Sequence, residues 1–172
     1  IATTINYYSI KVVSKIESYA VIIKLIILLL FVIIGCYGLY ENPNLTQLSV
    51  SNWETPIQLL TGGMVIFVAY EGFELIANAA PDIENPEKNI PRAYYYSVIF
   101  VIFLYIIIAI VTVGSLPFNE IATAQDYVLA KAAEPMLGKI GFTIITIAAL
   151  ISTFSAINAS LYGGSRVSYE IA

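Results

Sequence analysis

Three groups of polar residues stand inside stretches too apolar to hold them cheaply. Lys24 lies within VIIKLIILLL, and Glu71-Gly72 interrupts GGMVIFVAYEGFELIANAA at residues 62–80. Ser152, Thr153, Ser155, Asn158 and Ser160 crowd one apolar stretch near the end. A charge at bilayer depth costs about 2.5–3.5 kcal/mol by insertion scales unless it faces a paired or wet interior. Desolvation lowers the pKa of an ammonium, so Lys24 can take up and release a proton during a cycle. The competing reading is that it snorkels to the headgroups. Lys15 and Glu17 already mark that interface, and residues 18–23 intervene before Lys24. Gly72 weakens helix continuity by about 1 kcal/mol relative to Ala. A spanning helix broken there frees main-chain carbonyls to accept from an amine. A structural kink would need only the glycine; the acid Glu71 at mid-depth points to a site, with Glu74 one turn further in. Ser152, Ser155 and Asn158 fall at i, i+3 and i+6 on roughly one helical face. That face either lines a polar site or serves helix packing, where each such contact is worth about 0.6 kcal/mol.

Composition sets the class. Hydrophobic residues make up 59% of the 172 and charged residues 12%, against about 25% charged in soluble domains. With a mean hydropathy of +0.82, the chain reads as a membrane protein. The eight Lys and Arg are scattered and form no basic stripe, which leaves nucleic-acid binding without support. A lone Cys36 excludes an internal disulfide, and with no His the chain offers neither the commonest general base nor the commonest metal ligand. We therefore expect no metal and no cofactor. No G-x-S-x-G or H-E-x-x-H occurs, so an intramembrane enzyme is the weakest class. The chain starts at Ile1, and we expect a fragment, residues 1–172, of a single larger transmembrane domain.

Four segments qualify as spans: residues 21–40, 62–80 (broken), 97–113 and 141–161. Lys11, Lys15, Lys88, Arg92 and Arg166 fall on one side and only Lys131 and Lys139 on the other, so the first side is expected to be cytoplasmic. In the first outer loop, Ser51 and Glu54 read as a capping box for a short helix through Pro56. In the second, Asn119 is a plausible N-cap for a helix that Pro135 and Gly138 stop. That helix is either a lid over a vestibule or an interfacial helix. The inner loop at residues 81–91, PDIENPEKNIP, reads as a rigid turn.

The run FVAYEGFELIANAAPDIENPEKNIPRA, with SAINASLYGGSRVSYEIA near the end, resembles the amino acid–polyamine–organocation (APC) transporter superfamily. The likeness is greatest to prokaryotic proton-coupled amino acid permeases of the ApcT type, and it covers nearly the whole chain. It implies an all-α membrane protein, part of a LeuT-type bundle of two inverted five-helix repeats, with the present spans corresponding to transmembrane helices 5–8. It implies a multi-pass protein of the plasma membrane that moves amino acids by alternating access, coupled to protons. The partners it implies are the amino acid substrate, protons, the lipid bilayer and the remaining helices of the same transporter. Residue by residue, it implies that the carbonyls of Val68, Ala69 and Glu71, in the Val68–Phe73 stretch with Tyr70 and Gly72, hold the substrate amino group. It makes Phe73 a gate over the substrate. Lys24 would place its ammonium where sodium-coupled relatives hold an ion, next to Ser152, with Ser155 on the same polar face. Many relatives carry an apolar residue where Glu71 stands, which leaves Glu71 to favour a cationic amino acid or to hold a structural proton. The alternative class is a non-transporting membrane scaffold or channel-like subunit, which would account for four spans but not for Glu71-Gly72 at mid-bilayer.

Overall fold

The computed structural model describes residues 10–41, 46–70, 72, 73, 75–78 and 80–171. Among the described residues every regular element is helical. In chain order they are α1 (Ile10–Glu41), α2 (Pro56–Phe67), α3 (Leu75–Asn78), α4 (Pro86–Ser115), α5 (Phe118–Ala124) and α6 (Val128–Ile171). Short 3₁₀ turns occupy Thr46–Leu48, Val50–Asn52, Val68–Tyr70, Ala80–Asp82 and Gln125–Tyr127. Three helical stretches are long and apolar enough to cross a membrane: Lys15–Glu41, Pro86–Ser115 and Phe118–Ser165. The remaining expected span is absent from that set because its helix is interrupted, leaving Pro56–Tyr70 as a shorter apolar piece.

The helix starts follow local chemistry, and three of them differ from the sequence expectation. Thr55, not Ser51, is the N-cap of α2: it has extended backbone, Pro56 at the first helical position and Gln58 at the third. The Thr55 N–H donates to Gln58 Oε1 at 3.2 Å, one arm of a capping box. Ser51 sits in a 3₁₀ turn instead. Both pairs match the capping pattern, and proline decides between them, because its fixed φ and missing donor suit the first helical position. Helix α5 is capped by Pro117 rather than Asn119. The expected inner turn also shortens: Asn85 takes a left-handed conformation at φ 49 and α4 begins at once on Pro86, running through Pro91. Pro91, the sixth residue of α4, lies just past the four positions whose N–H groups have no intrahelical partner, so it leaves the Glu87 carbonyl without its i+4 donor.

Helices α1, α4 and α6 pack together, with α5 and the first turns of α6 folded over one end. The shared core is Phe31, Val111, Leu116, Ala130, Ala132, Ala133 and Ile145. The segment expected to be a lid or a surface helix therefore buries its alanines among the spans. Pro135 does not end it; Gly138 does, with φ 62 and ψ −154 inside α6. A Cβ on Gly141 would lie 2.7 Å from the Ala133 carbonyl oxygen, so the chain doubles back closely after the break. On this segment Lys131 Nζ donates to Glu134 Oε2 at 2.7 Å. Gln47 ties the loop between α1 and α2 to this end: its Nε2 donates to the carbonyls of Val113 (2.6 Å) and Leu116 (2.8 Å). Its Oε1 accepts from the Phe118 N–H at 2.9 Å. One side chain thus satisfies groups that the end of α4 and the start of α5 leave open.

Close approach of α1 to α4 depends on small residues. A Cβ on Gly35 would lie 2.2 Å from Val111 Cγ1, and one on Gly114 would lie 2.6 Å from Leu39 Cδ2. Gly35→Leu is expected to destabilise this packing by about 1–3 kcal/mol, as overpacking does. A Cβ on Gly38, one turn further along α1, meets nothing within 4 Å, so Gly38→Leu serves as the control. Thermal unfolding of the full-length protein in detergent checks this: a lowered midpoint for Gly35→Leu alone is expected, and equal midpoints would contradict it.

Candidate functional site

The second apolar stretch loses regular helix where the sequence places Glu71-Gly72. The α-helix stops at Phe67, a 3₁₀ turn covers Val68–Tyr70, and Gly72 has φ +102. An L side chain rarely adopts that conformation. Helix resumes at α3, where the Ile76 N–H donates to the Phe73 carbonyl at 3.1 Å. Over the described residues of this stretch, Val68–Tyr70, Gly72 and Phe73, turns replace the regular α-helix, and that interruption is the local condition for presenting carbonyls to a ligand. Glu71 and Glu74 lie outside the described residues.

Aromatic contacts anchor the break to α4. The Tyr70 ring lies 5.5 Å from that of Tyr105, tilted by 57°. The Phe73 ring meets Tyr94 edge-on at 5.9 Å and 78°. Ala69, Tyr70, Gly72, Phe73 and Ile76 face Ser97, Val98, Val101 and Tyr105 across a groove of ≈ 240 Å³. Val68 belongs to the 3₁₀ turn and is exposed. The structure thus brings Ala69, Tyr70, Gly72 and Phe73 to one groove and leaves the Val68 side chain outside it.

Lys24 takes part in a second cluster. Its Nζ donates to Ser155 Oγ at 3.1 Å, joining α1 to α6 across 131 residues of sequence. The Ser155 hydroxyl donates in turn to Glu17 Oε1, and Asn158 Nδ2 donates to Glu17 Oε2 at 3.2 Å. Ser155 and Asn158 are buried at 3% and 6% exposure, so their polar atoms need partners inside the protein. Ser152, three residues before Ser155, is exposed; the residue recorded against the Lys24 ammonium is Ser155.

Sequence reasoning misses Glu17: preceding the apolar run, it reads only as an interface marker. A signal was present. Residues seven apart share a helix face, so Glu17 and Lys24 had to point the same way once α1 extended to Ile10. Among the described residues no group of three or more His, Cys, Asp or Glu is placed to hold a metal.

Similarity to known proteins runs over the length of the chain. The family described as amino acid permease matches residues 1–172. The chain is 39% identical over 173 residues to an uncharacterised protein of Methanocaldococcus jannaschii, covering 99% of this chain and 38% of that protein. It is 35% identical over 162 residues to the inner membrane transport protein YbaT of Escherichia coli, covering 94% of this chain and 37% of YbaT. It is 25% identical over 177 residues to the branched-chain amino acid permease BcaP of Bacillus subtilis, covering 98% of this chain and 35% of BcaP. The chain spans a little over a third of the length of these relatives.

Proposed function

The chain belongs to the amino acid permease family, within the APC superfamily, and from that premise we propose that it is part of a secondary active amino acid transporter. It is a multi-pass membrane protein and supplies four consecutive segments of a LeuT-type bundle, helices 5–8, the second of them broken. Transport proceeds by alternating access and is coupled to protons. The observation that carries this reading is the end of α2 at Phe67, followed by the 3₁₀ turn Val68–Tyr70 and by Gly72 at φ +102. Discontinuous spanning helices are how secondary transporters offer main-chain groups to a substrate at mid-membrane.

In this mechanism the carbonyls of Val68, Ala69 and Glu71 receive the substrate's α-ammonium. Each supplies an acceptor that regular helix would have engaged. Tyr70 holds the break against α4 through Tyr105, and Phe73 covers the substrate. Lys24, protonated, braces α1 against α6 through Ser155 while the site faces outward, with Ser152 on the same helix. Loss of its proton to the cytoplasmic side removes a charge-assisted hydrogen bond and loosens the inner closure. Glu71 adds a negative charge beside the amine and favours cationic substrates.

Uptake of a tritiated amino acid mixture by proteoliposomes holding the full-length protein tests the proposal. Saturable accumulation is expected, rising when the outside is made acidic and collapsing with a protonophore. Uptake indifferent to the pH gradient would remove proton coupling, and absence of saturable binding would favour a scaffold.

A further inference from the structure

The Lys24 cluster has a direction that its chemistry imposes. An ammonium only donates, a carboxylate only accepts, and a hydroxyl does both. Lys24 Nζ donates to Ser155 Oγ at 3.1 Å, and Ser155 Oγ donates to Glu17 Oε1. The three groups therefore form an ordered donor-to-acceptor chain from a buried-side ammonium to a carboxylate. Glu17 lies seven residues before Lys24, about 10 Å along the helix axis, towards the end that the Lys and Arg distribution makes cytoplasmic. Asn158 Nδ2 holds the other carboxylate oxygen at 3.2 Å, which fixes Oε1 towards Ser155.

We propose that Glu17 is the proton acceptor through which Lys24 discharges to the cytoplasm, with Ser155 as the relay. This rests on the coupling role given to Lys24 above. In the transfer, an Nζ–H bond of Lys24 breaks as an O–H bond forms on Ser155 Oγ. The proton already on Ser155 passes to Glu17 Oε1. Lys24 becomes a neutral amine, Ser155 is again a hydroxyl, and Glu17 becomes a carboxylic acid; total charge is unchanged. Glu17, half-exposed, then releases the proton to water. Among the described residues the two charges make no direct ion pair within 4.0 Å, so the serine is the connection recorded between them. The side chains facing Glu17 from α6 are Ser155 and Asn158, both uncharged, with the titratable Tyr162 one turn further along the helix. On α1 the charged groups nearby are Lys24 and the exposed Lys15.

Glu17→Gln separates acceptor geometry from proton acceptance, because the amide oxygen still accepts from Ser155 but binds no proton at neutral pH. The full-length variant in proteoliposomes under an inward proton gradient should accumulate the tritiated amino acid mixture about tenfold less than the parent. Counterflow exchange, which needs no net proton release, should be retained, and Glu17→Asp should restore accumulation. Accumulation by Glu17→Gln equal to the parent overturns the relay. Lys24→Ala in the same assay distinguishes the two readings: if it too accumulates normally, the coupling role itself has failed; if it alone fails to accumulate, only the relay has. Should Glu17→Gln neither accumulate nor exchange, Ser155→Ala and Ser155→Thr decide. The relay requires the hydroxyl-bearing Thr variant to accumulate and the Ala variant to lose about tenfold; equal behaviour overturns it.

Discussion

Replacing Lys24 by Ala is expected to cut gradient-driven amino acid accumulation by the reconstituted full-length protein at least about tenfold, within the usual range of coupling between two ligands. The ammonium is one of two α1 groups bonded to Ser155 of α6, at 3.1 Å, the other being the Glu17 carboxylate. On the proposed coupling, no lysine proton then remains to strengthen or release that bond between the two helices. Lys24→Arg sharpens the result. Arginine keeps the positive charge and the donors but does not lose its proton in a protein, so accumulation should fail there as well. Accumulation retained by either variant, measured against a protonophore control, would contradict the assignment. A headgroup-snorkelling lysine predicts the opposite for Arg, since both side chains reach the interface.

The second large effect is expected at Gly72. A Cβ there would meet nothing within 4 Å, so the first atom of the Gly72→Val side chain has open space. Its cost is conformational: at φ +102 a β-branched residue is strained by about 1–3 kcal/mol, and the break relaxes towards regular helix. Substrate affinity should fall about fivefold to a hundredfold, since each 1.4 kcal/mol is tenfold. Gly63 lies in regular helix with open space around it, and Gly63→Ala should bind as the parent does. Scintillation binding of the tritiated mixture to the full-length variants checks this. Parental affinity in Gly72→Val would show that the left-handed turn plays no part in recognition.

The interruption of the second span was legible because an acid next to a glycine inside an apolar run is costly unless the helix opens there. The buried face of α6 was partly legible. Spacing grouped Ser152, Ser155 and Asn158, but only the packing angle against α1 decides which of the three is enclosed, and it encloses the last two. Glu17 escaped because hydropathy places a carboxylate before an apolar run in the headgroups, whereas α1 continues through it and carries it along the α6 face. The capping residues escaped for a different reason: Ser51–Glu54 and Thr55–Gln58 satisfy one pattern, and only proline geometry separates them. Gln47 left no local signal, since its three partners lie about seventy residues away.

The most direct measurement is the distance from the main chain at the break to the substrate amine. Full-length protein labelled with ¹³C at the Val68 and Ala69 carbonyls, and loaded with ¹⁵N-amino acid, permits ¹³C–¹⁵N dipolar recoupling by solid-state NMR. A carbonyl oxygen accepting from the amine at about 2.9 Å places the two nuclei close enough for strong dephasing, and that is the expected result. Bound ¹⁵N signal with no dephasing from either carbonyl would contradict the account.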